Sequence, residues 1–172
     1  ELVTENKEEA ARYFKLSSEK GDIDATYNYS IVLINGLGIQ SNKTEGFQLL
    51  KTLTFEMEHI HATFKYGLAL LNGIECHQNI ESGLQFIKKA ADRGCPEANL
   101  VYGFCFFAGK YGVPIDKKKA YYYFKNGADY GNIQCYLFSG LYLYYGWSGI
   151  QQNTKGGIAC IKIAADNGIP QA

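Results

Sequence analysis

The stretch EANLVYGFCFFAGKYGVPIDKKKAYYYFKNGADYGNI, Glu97 to Ile133, decides how the chain is read. Its first part places apolar residues at helical spacing, with Ala98 and Gly103 inside the run. Gly109 supplies a residue that adopts positive φ without strain and so closes a helix. Asp116 is a good N-cap for a second helix, which closes at Gly131. The second helix carries Lys117-Lys118-Lys119 and then Tyr121-Tyr122-Tyr123-Phe124. Alone, that run reads as a basic-aromatic platform for nucleic acid, a phosphorylation target, or helix packing.

The same pattern recurs along the chain in steps of 36 or 37 residues. A small residue opens each repeat: Ala25, Ala62, Ala98 and Cys135. Five residues on stand Ser30, Gly67, Gly103 and Gly140, and eleven on stand Gly36, Gly73, Gly109 and Gly146. A capping residue follows: Asn42, Asn79, Asp116 and Asn153. Asn42 with Glu45 reads as a variant of the capping box. Four residues later come Gly46, Gly83, Ala120 and Gly157. Three repeats end on Gly94, Gly131 and Gly168, and the first has Met57 in that column. A glycine inside a helix costs about 1 kcal/mol against alanine. Its recurrence at 67, 103 and 140 therefore predicts close approach of two helices.

The expected organisation is a half repeat at 1–23, full repeats at 24–60, 61–96, 97–133 and 134–170, and the start of another at 171–172. Ala10 and Gly21 occupy their columns in the half repeat, and Ala172 the opening column of the last. The chain is expected to be an excerpt of a longer one.

Ala-x-x-x-Tyr-Gly, then Gly, then Asp/Asn-x-x-x-Ala/Gly, then Ala-Ala-x-x-Gly resembles the Sel-one-like repeat, a relative of the tetratricopeptide repeat. FIKKAADRGCPEANLVYG and DKKKAYYYFKNGADYGNIQ carry the likeness most fully. The first repeat departs from it, with Leu53-Thr54 in place of the Ala-Ala pair. The resemblance implies an all-α, right-handed superhelical solenoid of antiparallel helix pairs. It also implies an adaptor that holds a partner protein or peptide. Repeat physics agrees, because stacked repeats offer an extended concave surface.

Composition narrows the partners. Seventeen basic and seventeen acidic residues give zero formal net charge, so no global field favours nucleic acid or an anionic membrane. No apolar run is long enough to span a bilayer. The five cysteines are odd in number and form no CxxC pair, which points away from a disulfide framework or zinc ribbon. That favours the cytoplasm over a secretory lumen.

In the first helix of each repeat, positions −1, 3, 6 and 10 from the opening residue share one face. By analogy with related solenoids this face lines the groove. It carries Asp24, Asn28, Ile31 and Asn35; His61, Lys65, Leu68 and Asn72; Glu97, Val101, Phe104 and Ala108; Gln134, Phe138, Leu141 and Tyr145. The first two sets are mostly polar and the last two mostly apolar. The expected partner-contacting residues are Asn28, Asn35, Lys65, Asn72, Val101, Phe104, Phe138, Leu141 and Tyr145. An apolar anchor of the partner is expected at Phe104, Phe138 and Tyr145. Their substitution is expected to weaken capture without unfolding the chain. Apolar solenoid ends can also self-associate end to end.

No catalytic constellation stands out, and no cofactor or metal is expected. Ser17-x-x-Lys20 matches one element of penicillin-recognising hydrolases, but companion motifs are absent and Ser17 sits in a small-residue column. A β-lactamase-like hydrolase, as suggested for cysteine-rich relatives, is the alternative, as is an interaction segment of a ubiquitin-ligase adaptor or kinase. His59, His61, Cys76 and His77 invite a metal reading, but His59 and His61 are two apart and diverge on a helix. Gly36-Leu37-Gly38 follows a helix rather than a strand, so it is a loop and no dinucleotide fingerprint. Of two glycosylation sequons, Asn28 lies within a helix and only Asn42 is placed for use. Within the lysine-tyrosine run, Tyr123 and Phe124 are expected in the core, Tyr121 against a neighbouring helix, and Tyr122 in solvent.

Overall fold

The computed structural model describes residues 2–169, with side chains described from residue 6 onward. The expected start of a further repeat at Ala172 lies outside the described residues. Among those residues the chain is all helix, without a strand. In order come α1 (Leu2–Glu19), α2 (Ile23–Asn35), α3 (Lys43–Phe55), α4 (Ile60–Asn72), α5 (Ile80–Asp92), α6 (Pro96–Ala108), α7 (Lys117–Asp129), α8 (Ile133–Tyr145) and α9 (Thr154–Asp166). Short 3-10 turns at Lys110–Gly112 and Trp147–Gly149 follow α6 and α8. The chain divides into two compact units, Glu1–Phe86 and Ile87–Ala172.

One local grammar builds both units. Gly36, Gly73, Gly109 and Gly146 end α2, α4, α6 and α8 with φ between 64° and 69°. Left-handed backbone there lets each glycine N–H reach a carbonyl of the last turn. The next helix starts on a side-chain cap. Asn42 accepts from the N–H of Glu45, Asn79 from Ser82, Asp116 from Lys119 and Asn153 from Gly156. The backbone N–H of each cap residue donates back into the preceding helix, to Leu33, Leu70, Phe106 and Leu143. The connection is thus clamped at both ends, which folds the second helix back along the first.

That clamp changes the expected capping box. In the standard form the glutamate accepts from the cap's backbone N–H. Here the Asn42 N–H is already bonded to Leu33, so Glu45 takes the Asn42 side-chain amide instead, at 2.8 Å.

Close helix approach explains the glycine columns. In the N-terminal unit a Cβ on Gly46 would stand 2.8 Å from the Ser30 carbonyl oxygen. One on Gly83 would stand 2.9 Å from that of Gly67. In the C-terminal unit a Cβ on Gly103 would meet the Phe124 ring at 2.7 Å, and one on Gly157 the Gly140 carbonyl oxygen at 2.8 Å. The glycines are therefore contact surfaces between paired helices, and their propensity cost is offset by packing.

The N-terminal unit centres on Leu50, Leu53 and Ala62, with Tyr27 and Ile34 packed against them. Thr54 fills an alanine column and stays satisfied, because its hydroxyl donates to the Leu50 carbonyl at 2.8 Å. The end of α3 corrects the sequence reading. Glu58, not Met57, takes the left-handed position, with φ of 49°. The connection from α3 to α4 holds one more residue than its counterparts, so the turn moves one position along. His59 then caps α4 in the place that Asp22 and Asn132 hold before α2 and α8.

The C-terminal unit is built on aromatic rings. Phe124 is fully buried and contacts Phe104, Phe107, Phe138 and Tyr142. Tyr123 is buried between Tyr102 and Phe106. Tyr121 meets Tyr142 on α8, whereas Tyr122 is 58% exposed. The tyrosine run is thus packing, as the repeat columns require. Lys117 differs from a solvated first-turn lysine: its ammonium lies 3.4 Å from the Phe107 ring centre and donates to the Phe107 carbonyl.

Candidate partner-binding site

The sixteen positions expected to line the groove share one pattern of exposure in all four repeats. The outer two of each set, such as Asp24 and Asn35 or Gln134 and Tyr145, are exposed. The inner two, such as Asn28 and Ile31 or Phe138 and Leu141, are half-buried. None of the sixteen is fully buried, so helical period alone identified an accessible stripe on α2, α4, α6 and α8.

In the N-terminal unit this stripe borders a cavity of about 230 Å³ between α2, α3 and α4. Ile31, Asn35, Lys65, Leu68 and Asn72 of the stripe line it. The floor is apolar, from Ile34, Phe47, Leu50 and Ala69. Lys43, Ile74 and Glu75 complete the rim. Thr44 donates to the Glu75 carboxylate at 2.9 Å, which ties the start of α3 to the loop after α4. Asn35 and Asn72 each donate one side-chain N–H to the carbonyl four residues earlier, Ile31 and Leu68. Both amides are thereby oriented, and each keeps an oxygen acceptor beside the cavity. Asn28 is half-buried on the same stripe and is not among the lining residues.

Sequence reasoning found five of these lining residues but described this part of the stripe as polar. The apolar floor is assembled from three helices, through Ile34 of α2, Phe47 and Leu50 of α3 and Ala69 of α4. Phe47 and Leu50 are buried, and the cavity lies where residues of α2, α3 and α4 come together.

In the C-terminal unit the expected apolar anchor is arranged differently. Phe104 and Phe138 meet edge to face at 4.8 Å and both contact Phe124. They belong to the aromatic core, so truncating them removes packing as well as surface. Tyr145 is 56% exposed and stacks on Trp147 at 5.1 Å. Val101 and Leu141 are half-buried on the stripe. Of the nine expected contact residues, Tyr145 is the aromatic one that reaches solvent freely.

The chemistry considered from sequence has structural uses. The Ser17 hydroxyl lies 3.4 Å from the Asp22 carboxylate. His59 accepts the Ala62 N–H at Nδ1, so its Nε2 carries the proton and donates to Asp24 at 3.2 Å. Both ring nitrogens are thus engaged. Burial pushes the thiols of Cys95 and Cys135 up to about 12 and raises that of Cys105. These three stay protonated and unreactive near neutral pH. Ser30 of the first sequon is fully buried, and Asn42 of the second uses its amide as a helix cap.

The comparisons with known proteins agree with this architecture. The Sel1 repeat model matches residues 1–22, 23–52, 60–95, 96–132 and 133–169. The chain belongs to the Sel1 repeat family, whose members are generally protein-interaction scaffolds built on an α-helical solenoid. Among solved structures it is similar to a Sel1 repeat protein from Oxalobacter formigenes, with a TM-score of 0.80 and 24% identity. The match covers 94% of this chain and 65% of that one. It is also similar to c5321, a protective antigen of uropathogenic Escherichia coli with an SLR fold, with a TM-score of 0.74 and 19% identity over 95% of this chain and 34% of that one. The cysteine rich protein B of Helicobacter pylori aligns with a TM-score of 0.57 and 21% identity, over 77% of this chain and 94% of that one. The chain spans less than two thirds of the first two structures. At these identities the likeness concerns the fold. A search of curated proteins finds no match. No described helix is long and apolar enough to cross a membrane.

Proposed function

We propose that the chain is a non-catalytic scaffold that captures an extended segment of a partner protein, as one part of a longer polypeptide. In the N-terminal unit the segment contacts Asn28, Asn35, Lys65 and Asn72 and places an apolar side chain in the cavity beside Leu68. The proposed partner-contacting residues of the C-terminal unit are Val101, Phe104, Phe138, Leu141 and Tyr145. The observation that carries this reading is the 230 Å³ cavity, with its apolar floor and two oriented amides. An apolar pocket rimmed by a few placed polar groups is the usual form of a side-chain recognition site. Asparagine amides can bond the backbone of an extended peptide whatever its side chains, which suits an adaptor.

The test is selection of peptides from a displayed library on the wild-type chain, followed by affinity measurement on variants. Leu68→Glu puts a charge into the pocket, and Asn35→Ala with Asn72→Ala removes both amides. Each is expected to weaken selected peptides by at least about tenfold while circular dichroism stays unchanged. Peptides that bind these folded variants as tightly as wild type would place the site elsewhere.

A further inference from the structure

A second cavity, of about 330 Å³, lies in the C-terminal unit where the loop after α8 meets the start of α7. It is lined by Phe107, Lys117, Tyr142, Trp147 and Ser148. Tyr142 is 1% exposed, and its hydroxyl has no hydrogen-bond partner. A buried hydroxyl left unpaired is costly, and a ligand acceptor would satisfy it. Burial raises this phenol to about 12, so it remains a donor at neutral pH. Lys117 is held in place by the Phe107 ring at 3.4 Å and by its bond to the Phe107 carbonyl at 2.7 Å. An ammonium has three N–H groups, so donors remain for a ligand. Lys118 reaches the same loop, with its Nζ 3.9 Å from where a Cβ on Gly149 would stand. The five lining residues include no carboxylate. The walls are aromatic: Trp147 meets Tyr142 edge to face at 5.6 Å, and Phe107 lies under the lysine.

We propose that this cavity binds an organic carboxylate with a flat apolar body. Lys117 supplies the charge, Tyr142 the second donor, and Phe107 and Trp147 the walls. The carboxylate belongs either to a free small acid or to the C-terminal residue of a peptide; both present the same chemistry. No residue of the accessible stripe lines this cavity, although Tyr145 of the stripe stacks on Trp147.

Trp147 is the only tryptophan of the chain, so its fluorescence reports occupancy directly. The probes are 3-phenylpropionate, its neutral amide 3-phenylpropanamide, and acetyl-Gly-Gly-Phe with a free carboxylate. A saturable change with 3-phenylpropionate and none with the amide is expected. Lys117→Met and Tyr142→Phe should each weaken it by about tenfold or more, with helicity unchanged. If Lys117→Met fails to fold, the acid-against-amide comparison on the wild-type chain decides. Equal response to acid and amide, no saturation by about 10 mM, or wild-type affinity in both variants overturns the proposal. Comparable binding of the peptide supports a chain terminus as the natural ligand; binding of the free acid alone supports a small metabolite.

Discussion

Tyr111 and Ser148 occupy the third place of matched loops, Gly109-Lys110-Tyr111-Gly112 and Gly146-Trp147-Ser148-Gly149. Both hold left-handed backbone, with φ of 57° and 59°. A residue with a Cβ pays roughly 1–2 kcal/mol for that conformation. Glycine avoids the clash but loses about 0.5–1 kcal/mol more in chain entropy on folding. Tyr111→Gly is therefore expected to raise stability by about 0.5 kcal/mol, read as a higher urea midpoint at unchanged slope. A fall would mean that the partly exposed ring contributes more packing than the backbone strain costs. Asp116 gives a pH-dependent counterpart. The backbone N–H of Lys119, and then its ammonium, hold the Asp116 carboxyl below the usual carboxylate range. A depressed folded pKa contributes stability above the unfolded value of about 3.9, lost as pH falls through the folded value. Asp116→Asn keeps a capping oxygen but does not titrate. The gap in urea midpoint between wild type and variant should be open at neutral pH and close as pH falls below the unfolded carboxylate value of about 3.9 and through the lower folded one. A gap independent of pH would contradict this account of the cap.

At the scale of elements, the glycine columns govern how helices pair. Propensity alone would make Gly103→Ala favourable by about 1 kcal/mol. Packing opposes it, because the added methyl would enter the fully buried Phe124 ring at 2.7 Å. Overpacking of this kind costs about 1–3 kcal/mol, so the variant should melt at a lower temperature despite its better helix former. A higher melting temperature would show that α6 and α7 separate freely. These columns were legible because small residues recur where two helices touch. The caps at Asn42, Asn79, Asp116 and Asn153 were legible because their chemistry is local. The cap at His59 was not, since histidine does not favour that position, and Cys95 stands before α6 without a side-chain cap hydrogen bond. The left-handed Glu58 was also hidden: a one-residue insertion shifts the turn, and nothing in glutamate marks it.

At the scale of the whole molecule, helices differ in how much of their surface is covered. In α9 only Gly157 and Ala164 are buried, and Ile158 and Ile163 are exposed. In α8 five residues are buried. Local opening follows buried contact, so amide protons of α9 should exchange faster than those of α8. Equal protection would indicate that α9 is covered in solution, as end-to-end self-association would do. Mass measurement at rising concentration separates the two cases.

By itself the sequence determined the repeat length, the glycine ends of α2, α4, α6 and α8, the caps at Asn42, Asn79, Asp116 and Asn153, and the accessible stripe. Each depends on residues close along the chain: period, left-handed glycine, side-chain oxygen near a free N–H. Only the tertiary structure decided where that stripe borders a cavity. The apolar floor beside Asn35, Lys65 and Asn72 is assembled from Ile34 of α2, Phe47 and Leu50 of α3 and Ala69 of α4, which only folding brings together. Phe104 and Phe138 look like a binding surface in sequence, yet three-dimensional packing gives their rings to Phe124. Lys117 and Tyr142 line one cavity only because the loop after α8 comes down on α7. Cavities arise from distances between elements, and those distances are set by the packing of the whole unit.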